Sequence, residues 1–291
     1  MSPAAWRDGY YSAQDGLKLH YRDYGDPLAG GTPVLCLAGL TRNARDFDGL
    51  ARHLMAKRRV LAPDYRGRGG SAFDPKPEHY GPVTALGDLL HLLTLAGCHR
   101  AAVVGTSFGG ILAMALATAR PAALAGVVLN DVGPEVAYAG LDRIRGYVGS
   151  EAIPPDHAAG AAQLAEMMGS AYPDFTPDDW LAEARARYPA DGQGRLGLEY
   201  DPAIAKPLAA GVRKPRDLWP LYGALAKLPV LAIRGALSDI LDEATFERMA
   251  AAKPDLERLV VPDRGHVPLL TEPPCLAAID SFLERIDRER H

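Results

Sequence analysis

The 291-residue sequence predicts a mostly parallel α/β sheet with helices on both faces. Three observations predict it. Short apolar, β-branched runs alternate with segments of helical periodicity along most of the chain, which is the pattern of βαβ units. Hydrophobic residues make up 48% of the sequence, enough to bury a large core. The alternation breaks off at about Gly133 and resumes after Pro220, so one core carries one insertion.

The elements follow in order. Residues 17–24 alternate Leu17, Leu19 and Tyr21 with Lys18, His20 and Arg22, a half-exposed strand ended by Gly25-Asp26-Pro27. The apolar run 33–37 reads as a buried strand and enters the loop Ala38-Gly39-Leu40-Thr41-Arg42-Asn43. A helix is expected over 44–57, with Phe47, Leu50, Leu54 and Met55 on one face. A strand at 59–62 runs into the glycine-rich loop 63–71, where Asp64 is placed to fix the loop. That loop lacks the Gly-Lys-Ser/Thr ending of a phosphate cradle. A helix over 83–96 stops at Gly97. The strand 101–104 precedes an apolar helix at 108–119, and the strand 126–129 ends at Asn130-Asp131-Val132-Gly133-Pro134. In the insertion, 163–168 and 178–188 look helical and 192–200 reads as loop. The core then resumes with a strand at 229–233, a helix at 242–252, a strand at 259–262 and a helix at 274–286. Leu276, Ile279, Leu283 and Ile286 form the apolar stripe of that last helix.

Composition narrows the function. The formal net charge is −4, with both signs spread along the chain. No basic patch points to nucleic acid or to a membrane surface. No basic and apolar leader opens the chain and no run is long enough to span a bilayer, so neither a signal peptide nor a membrane anchor is expected. Cys36, Cys98 and Cys275 are odd in number and far apart. They are expected to be reduced, buried thiols of a cytoplasmic protein.

The chemistry centres on Gly105-Thr106-Ser107-Phe108-Gly109. This Gly-x-Ser-x-Gly lies between a strand and a helix, where a strained turn would project the serine hydroxyl from the sheet edge. Serine needs a general base, and the base needs an orienting carboxylate. His266 follows the strand 259–262 and Asp239 follows the strand 229–233. All three residues therefore lie at the carboxyl ends of parallel strands, where ligand crevices form. They occur in the order Ser, Asp, His. Asp131 is the rival acid, since it also follows a core strand; Asp263 stands too close to His266 in sequence.

With these motifs the chain resembles a serine-dependent α/β-hydrolase. The residues that carry the resemblance are Leu37-Ala38-Gly39-Leu40, Pro63-Asp64-Tyr65-Arg66-Gly67-Arg68-Gly69, the Ser107 pentapeptide, Gly235-Ala236-Leu237-Ser238-Asp239 and Arg264-Gly265-His266. The resemblance implies a mostly parallel eight-stranded sheet and a mainly helical cap inserted after the sixth core strand. The core would be 1–132 and 221–291, and the cap 133–220. It implies Ser107 as nucleophile, Asp239 as acid, His266 as base, and the N–H groups of Leu40 and Phe108 as oxyanion hole. Many relatives have His-Gly before the oxyanion residue, where this chain has Ala38-Gly39.

Arg42, two residues past that position, is a candidate for a substrate carboxylate, against a role as a solvated loop arginine. Trp180, Trp219 and Tyr222 are candidates for an acyl pocket, as are Met167 and Met168, against a role in packing. The expected activity is hydrolysis of a small carboxylic ester or lactone through an acyl-enzyme, with no cofactor or metal. Amide or peptide cleavage and a cofactor-free haloperoxidase-like activity use the same triad. A ligand receptor without turnover is the alternative from another class.

Overall fold

A computed structural model describes residues 5–149, 152–210 and 217–289. Its eight-stranded sheet has the order β1-β2-β4-β3-β5-β6-β7-β8. The strands are β1 (Trp6–Ser12), β2 (Lys18–Tyr24), β3 (Val34–Leu37), β4 (Val60–Pro63), β5 (Ala101–Thr106), β6 (Leu124–Asn130), β7 (Val230–Gly235) and β8 (Glu257–Val261). β2 pairs antiparallel with β1 and β4, and every other pairing is parallel. β3, β4, β6 and β7 are buried along their whole length. This is why they read as unbroken apolar runs rather than as alternations.

β1 is a strand that sequence periodicity does not reveal. It is an edge strand with both faces partly open, so Trp6-Arg7-Asp8-Gly9-Tyr10 shows no clean alternation. The helix expected over 44–57 is shorter than its pattern. Asn43 caps a 3₁₀ turn at Ala44–Phe47, and α1 (Asp48–Leu54) follows. α2 (Pro82–Leu95) and α3 (Phe108–Ala119) fill the next two connections.

Between β6 and β7 the chain makes α4 (Tyr138–Tyr147), α5 (His157–Met168), α6 (Pro177–Arg187), α7 (Ala205–Ala210) and α8 (Trp219–Gly223). α5 and α6 share a small core of their own, built on Leu164, Tyr172, Trp180, Ala184 and Tyr188. Thr176 and Asp179 form a capping box that starts α6. Further on, Glu199 and Asp201 bond backbone-to-backbone with Gly69 and Gly67, fastening this region to the glycine-rich loop. α8 returns to the main core through Leu218, Tyr222 and Leu225. α9 (Glu243–Ala252), capped by Asp242, and α10 (Pro273–Arg288) complete the fold. No helix among the described residues is long and apolar enough to cross a membrane. The three cysteines are buried and unpaired.

Candidate active site

Ser107 sits between β5 and α3 with φ 52° and ψ −115°. A non-glycine residue with positive φ is strained, so the surrounding packing must hold it there. The glycines show how. A Cβ on Gly105 would stand 2.5 Å from Gly109 O, and one on Gly109 would stand 2.0 Å from Leu37 O. Only glycine lets β3, β5 and α3 approach this closely. Ser107 N–H donates to Asn130 O at 3.0 Å, tying the turn to the end of β6.

The Ser107 hydroxyl meets His266 Nε2 at 2.9 Å, and His266 Nδ1 meets Asp131 Oδ2 at 2.7 Å. The acid beside the histidine is therefore Asp131, not Asp239. Asp131 is fully buried at the end of β6, with φ 54°. Its carboxylate also accepts Gly235 N–H at 2.9 Å and the Ser238 hydroxyl at 2.6 Å. Three donors thus lock its orientation, as a buried charge requires. Asp239 lies beyond Ser238 and forms a bidentate pair with Arg143 of α4, at 2.6 and 2.9 Å. Burial opposes its charged form, but Arg143 overrides this and lowers its pKa. β6 and β7 are neighbours that end at the same edge. Both strands therefore offer an acid there, and a partner supplied by the insertion separates the two roles.

Both sides of His266 are fastened to the segment between β6 and β7. Gly265 N–H donates to Ala171 O at 2.7 Å. The Tyr172 hydroxyl accepts Val267 N–H and donates to Val267 O, each at 2.9 Å. Burial raises the pKa of this phenol, so it stays protonated and able to donate. Burial likewise pushes the Cys36 and Cys275 thiols up, Cys275 to about 12, and neither lines the cavity above Ser107.

A cavity of about 310 Å³ opens above Ser107. Ser107, His266, Gly39 and Leu40 line it, together with Ile144, Tyr147, Met168, Tyr172, Phe175 and Trp180 from the segment between β6 and β7. Trp180 packs against Phe175 and Tyr172, at ring distances of 4.9 and 6.1 Å. Arg42 lines the cavity too, but its guanidinium is held by Asp46 and by Glu183 of α6, at 2.8 Å each. Trp219 and Tyr222 do not line it. The Tyr222 hydroxyl donates to Met249 O in the main core, and Trp219 Nε1 donates to Glu135. Both belong to the stretch that has already re-entered the core. Of the residues to which sequence reading gave no role, Tyr172 lies in no motif, and Ser238 lies in one only as the neighbour of Asp239. Their roles come from contacts 95 and 107 residues away along the chain.

The comparisons with known proteins agree with this architecture. Residues 34–277 match the model of the alpha/beta hydrolase family. The chain belongs to the alpha/beta hydrolase family. It is 33% identical to a 3-hydroxybutyrate-oligomer hydrolase of Cupriavidus necator, over 91% of this chain and 92% of that one. It is 32% identical to a 2-(acetamidomethylene)succinate hydrolase of Mesorhizobium japonicum, over 92% of each. Among solved structures, an alpha/beta hydrolase of Novosphingobium aromaticivorans is 46% identical, with a TM-score of 0.91 over 97% of this chain and 99% of that one. The relatives named for an activity here are hydrolases, and this alpha/beta hydrolase is an enzyme of that type.

Proposed function

We propose that the protein hydrolyses small carboxylic esters or lactones through an acyl-enzyme. The observation that carries this reading is the unbroken line Ser107 Oγ–His266 Nε2–His266 Nδ1–Asp131 Oδ2, at 2.9 and 2.7 Å, which faces a cavity with a largely apolar lining. His266 takes the Ser107 proton as the hydroxyl attacks the carbonyl carbon, and Asp131 orients the imidazolium that forms. The N–H groups of Phe108 and Leu40 hold the oxyanion, and those at the start of α3 add a positive dipole end. The imidazolium then protonates the leaving alkoxide. His266 next deprotonates a water that attacks the acyl carbon; the bond to Ser107 Oγ then breaks, the imidazolium returns the proton to Oγ, and the acid leaves.

In this reading residues 133–220 act as a cap over the core, and no cofactor or metal takes part. The buried thiols fit a cytoplasmic location. The Cupriavidus relative makes short hydroxyacid ester oligomers the first substrates to test. A second reading, hydrolysis of a C–N bond by the same groups, is favoured by the acetamido-bearing substrate of the Mesorhizobium relative.

The test is a panel of p-nitrophenyl esters, lactones, 3-hydroxybutyrate oligomers and acetamides. A fluorophosphonate probe should label Ser107, and Ser107→Ala should lose about three or more orders of magnitude in turnover. Labelling elsewhere, or a fully active mutant, would reject the mechanism. Faster turnover of amides than of esters would favour the second reading.

A further inference from the structure

Arg68 stands in the glycine-rich loop after β4 and is only 1% exposed. A buried guanidinium is expensive unless charged partners offset it. Among the described residues no carboxylate pairs with it, and its Nη2 has no hydrogen-bond partner. Burial lowers its pKa to about 10, so it still carries its charge at neutral pH. Asp201 and the Tyr65 and Tyr80 phenols favour the charge from a distance, but no direct ion pair offsets its burial, and such a group needs an explanation.

The contacts of Arg68 supply one. Nε donates to Leu40 O at 2.9 Å, and Nη1 donates to Arg66 O at 2.6 Å. Leu40 is one of the two oxyanion donors in the reading above, on which this inference rests. Three successive carbonyls of its loop are held. Ala38 O accepts the Tyr65 hydroxyl at 3.1 Å, Gly39 O accepts Arg42 N–H at 3.2 Å, and Leu40 O accepts Arg68. The peptide group is planar, so fixing the Gly39 carbonyl and its two neighbours fixes the direction of Leu40 N–H. Tyr65 also meets the ring of Phe108, the other donor residue, edge-on at 5.6 Å. The Arg68 guanidinium lies against the rings of Tyr65 and Tyr80, at 5.8 and 5.5 Å.

We propose that Tyr65 and Arg68 are positioning residues that brace the oxyanion loop from behind, and that the buried Arg68 charge favours the negative charge developing on the substrate oxygen. Neither residue touches substrate; both act through Leu40 and Phe108. The brace comes from the loop after β4, and Ala38 itself offers no side-chain hydrogen bond to the loop that the brace supports. Low-dielectric surroundings strengthen the field of the charge.

The experiment compares wild type with Arg68→Met, Arg68→Lys and Tyr65→Phe. It measures kcat, KM, melting temperature and the inhibition constant of a trifluoromethyl ketone, whose adduct with Ser107 carries an oxyanion. In Arg68→Met, kcat should fall by roughly ten- to a hundredfold, with KM nearly unchanged. The ketone should weaken by the same factor, and Arg68→Lys should recover part of the loss through its charge. A folded Arg68→Met with unaltered kcat overturns the proposal. So does a loss of kcat without weaker ketone binding, because a merely structural role would do that. If Arg68→Met does not fold, Tyr65→Phe decides, since it deletes one hydroxyl; kcat and ketone affinity should fall together, and unchanged values overturn the brace. A wild type that neither turns over esters nor binds the ketone would instead defeat the functional reading itself.

Discussion

At the scale of single residues, the choice between Asp131 and Asp239 is the most consequential. Each follows a parallel strand at the same sheet edge. Asp131 accepts from Gly235, Ser238 and His266, while Asp239 is occupied by Arg143. Asp131→Asn should therefore cost on the order of 10⁴ in kcat, because the imidazole loses its orienting charge. Asp239→Asn should leave kcat within a few-fold and lower thermal stability, since it breaks a half-exposed ion pair worth about 1 kcal/mol or less. Steady-state kinetics on one activated ester checks both, and the reverse ranking would return the acid to Asp239.

Among elements, the fastening of the His266 loop to the segment after β6 carries a prediction. Tyr172→Phe removes the hydroxyl that pairs with both polar groups of Val267. Leaving a buried N–H unpaired costs about 1–3 kcal/mol. The variant should melt a few degrees earlier, at roughly 2 °C per kcal/mol for a chain of this size. Its kcat should fall more than its KM changes, since the loop carries His266. Unchanged kcat would show that the clasp leaves His266 in place.

The β1–β2 hairpin offers a second test at this scale. His20 is buried between Asp64, at 2.7 Å from Nδ1, and Asp8 of β1, at 3.0 Å from Nε2. Burial opposes its charge, but the hydrogen bond and charge of Asp64, followed by those of Asp8, raise its pKa. The folded pKa stands above the unfolded value of about 6.5. The contact therefore stabilises the fold fully below that pH and fades as pH rises through the folded pKa. The melting-temperature gap between wild type and His20→Gln should be larger at pH 6 than at pH 9. Equal gaps would show that His20 contributes no charge-dependent stability.

On the scale of the whole molecule, the region between β6 and β7 contributes Ile144, Tyr147, Met168, Tyr172, Phe175 and Trp180 to the cavity lining, and the proposed function makes it the determinant of specificity. Trp180 lines that cavity and Trp219 does not. Trp180→Ala should shift kcat/KM toward long-chain over short-chain esters by roughly threefold or more, because it enlarges an apolar wall. Trp219→Ala should leave that ratio alone and lower the melting temperature by a few degrees, as loss of packing does. Equal losses on both esters in Trp180→Ala would reduce that residue to packing as well.

Local sequence determined the layered sheet, the turn that carries Ser107 and the strand ends that carry His266 and the two competing acids. The physical reason is that these depend on short-range chemistry. Buried parallel strands must be apolar along their length, and close passage of β3, β5 and α3 demands glycine at 105 and 109. The hairpin strand β1 stayed hidden because an edge strand open on both faces needs no alternation. Only the tertiary structure decided which aspartate faces His266, that Tyr172 clasps the histidine loop, that Trp219 and Tyr222 pack the core, and that Arg68 lies buried behind Leu40. Those outcomes depend on partners far away in sequence, such as Arg143, Ser238 and Val267. A carboxylate or hydroxyl carries no local mark of which distant donor will reach it once the chain has packed.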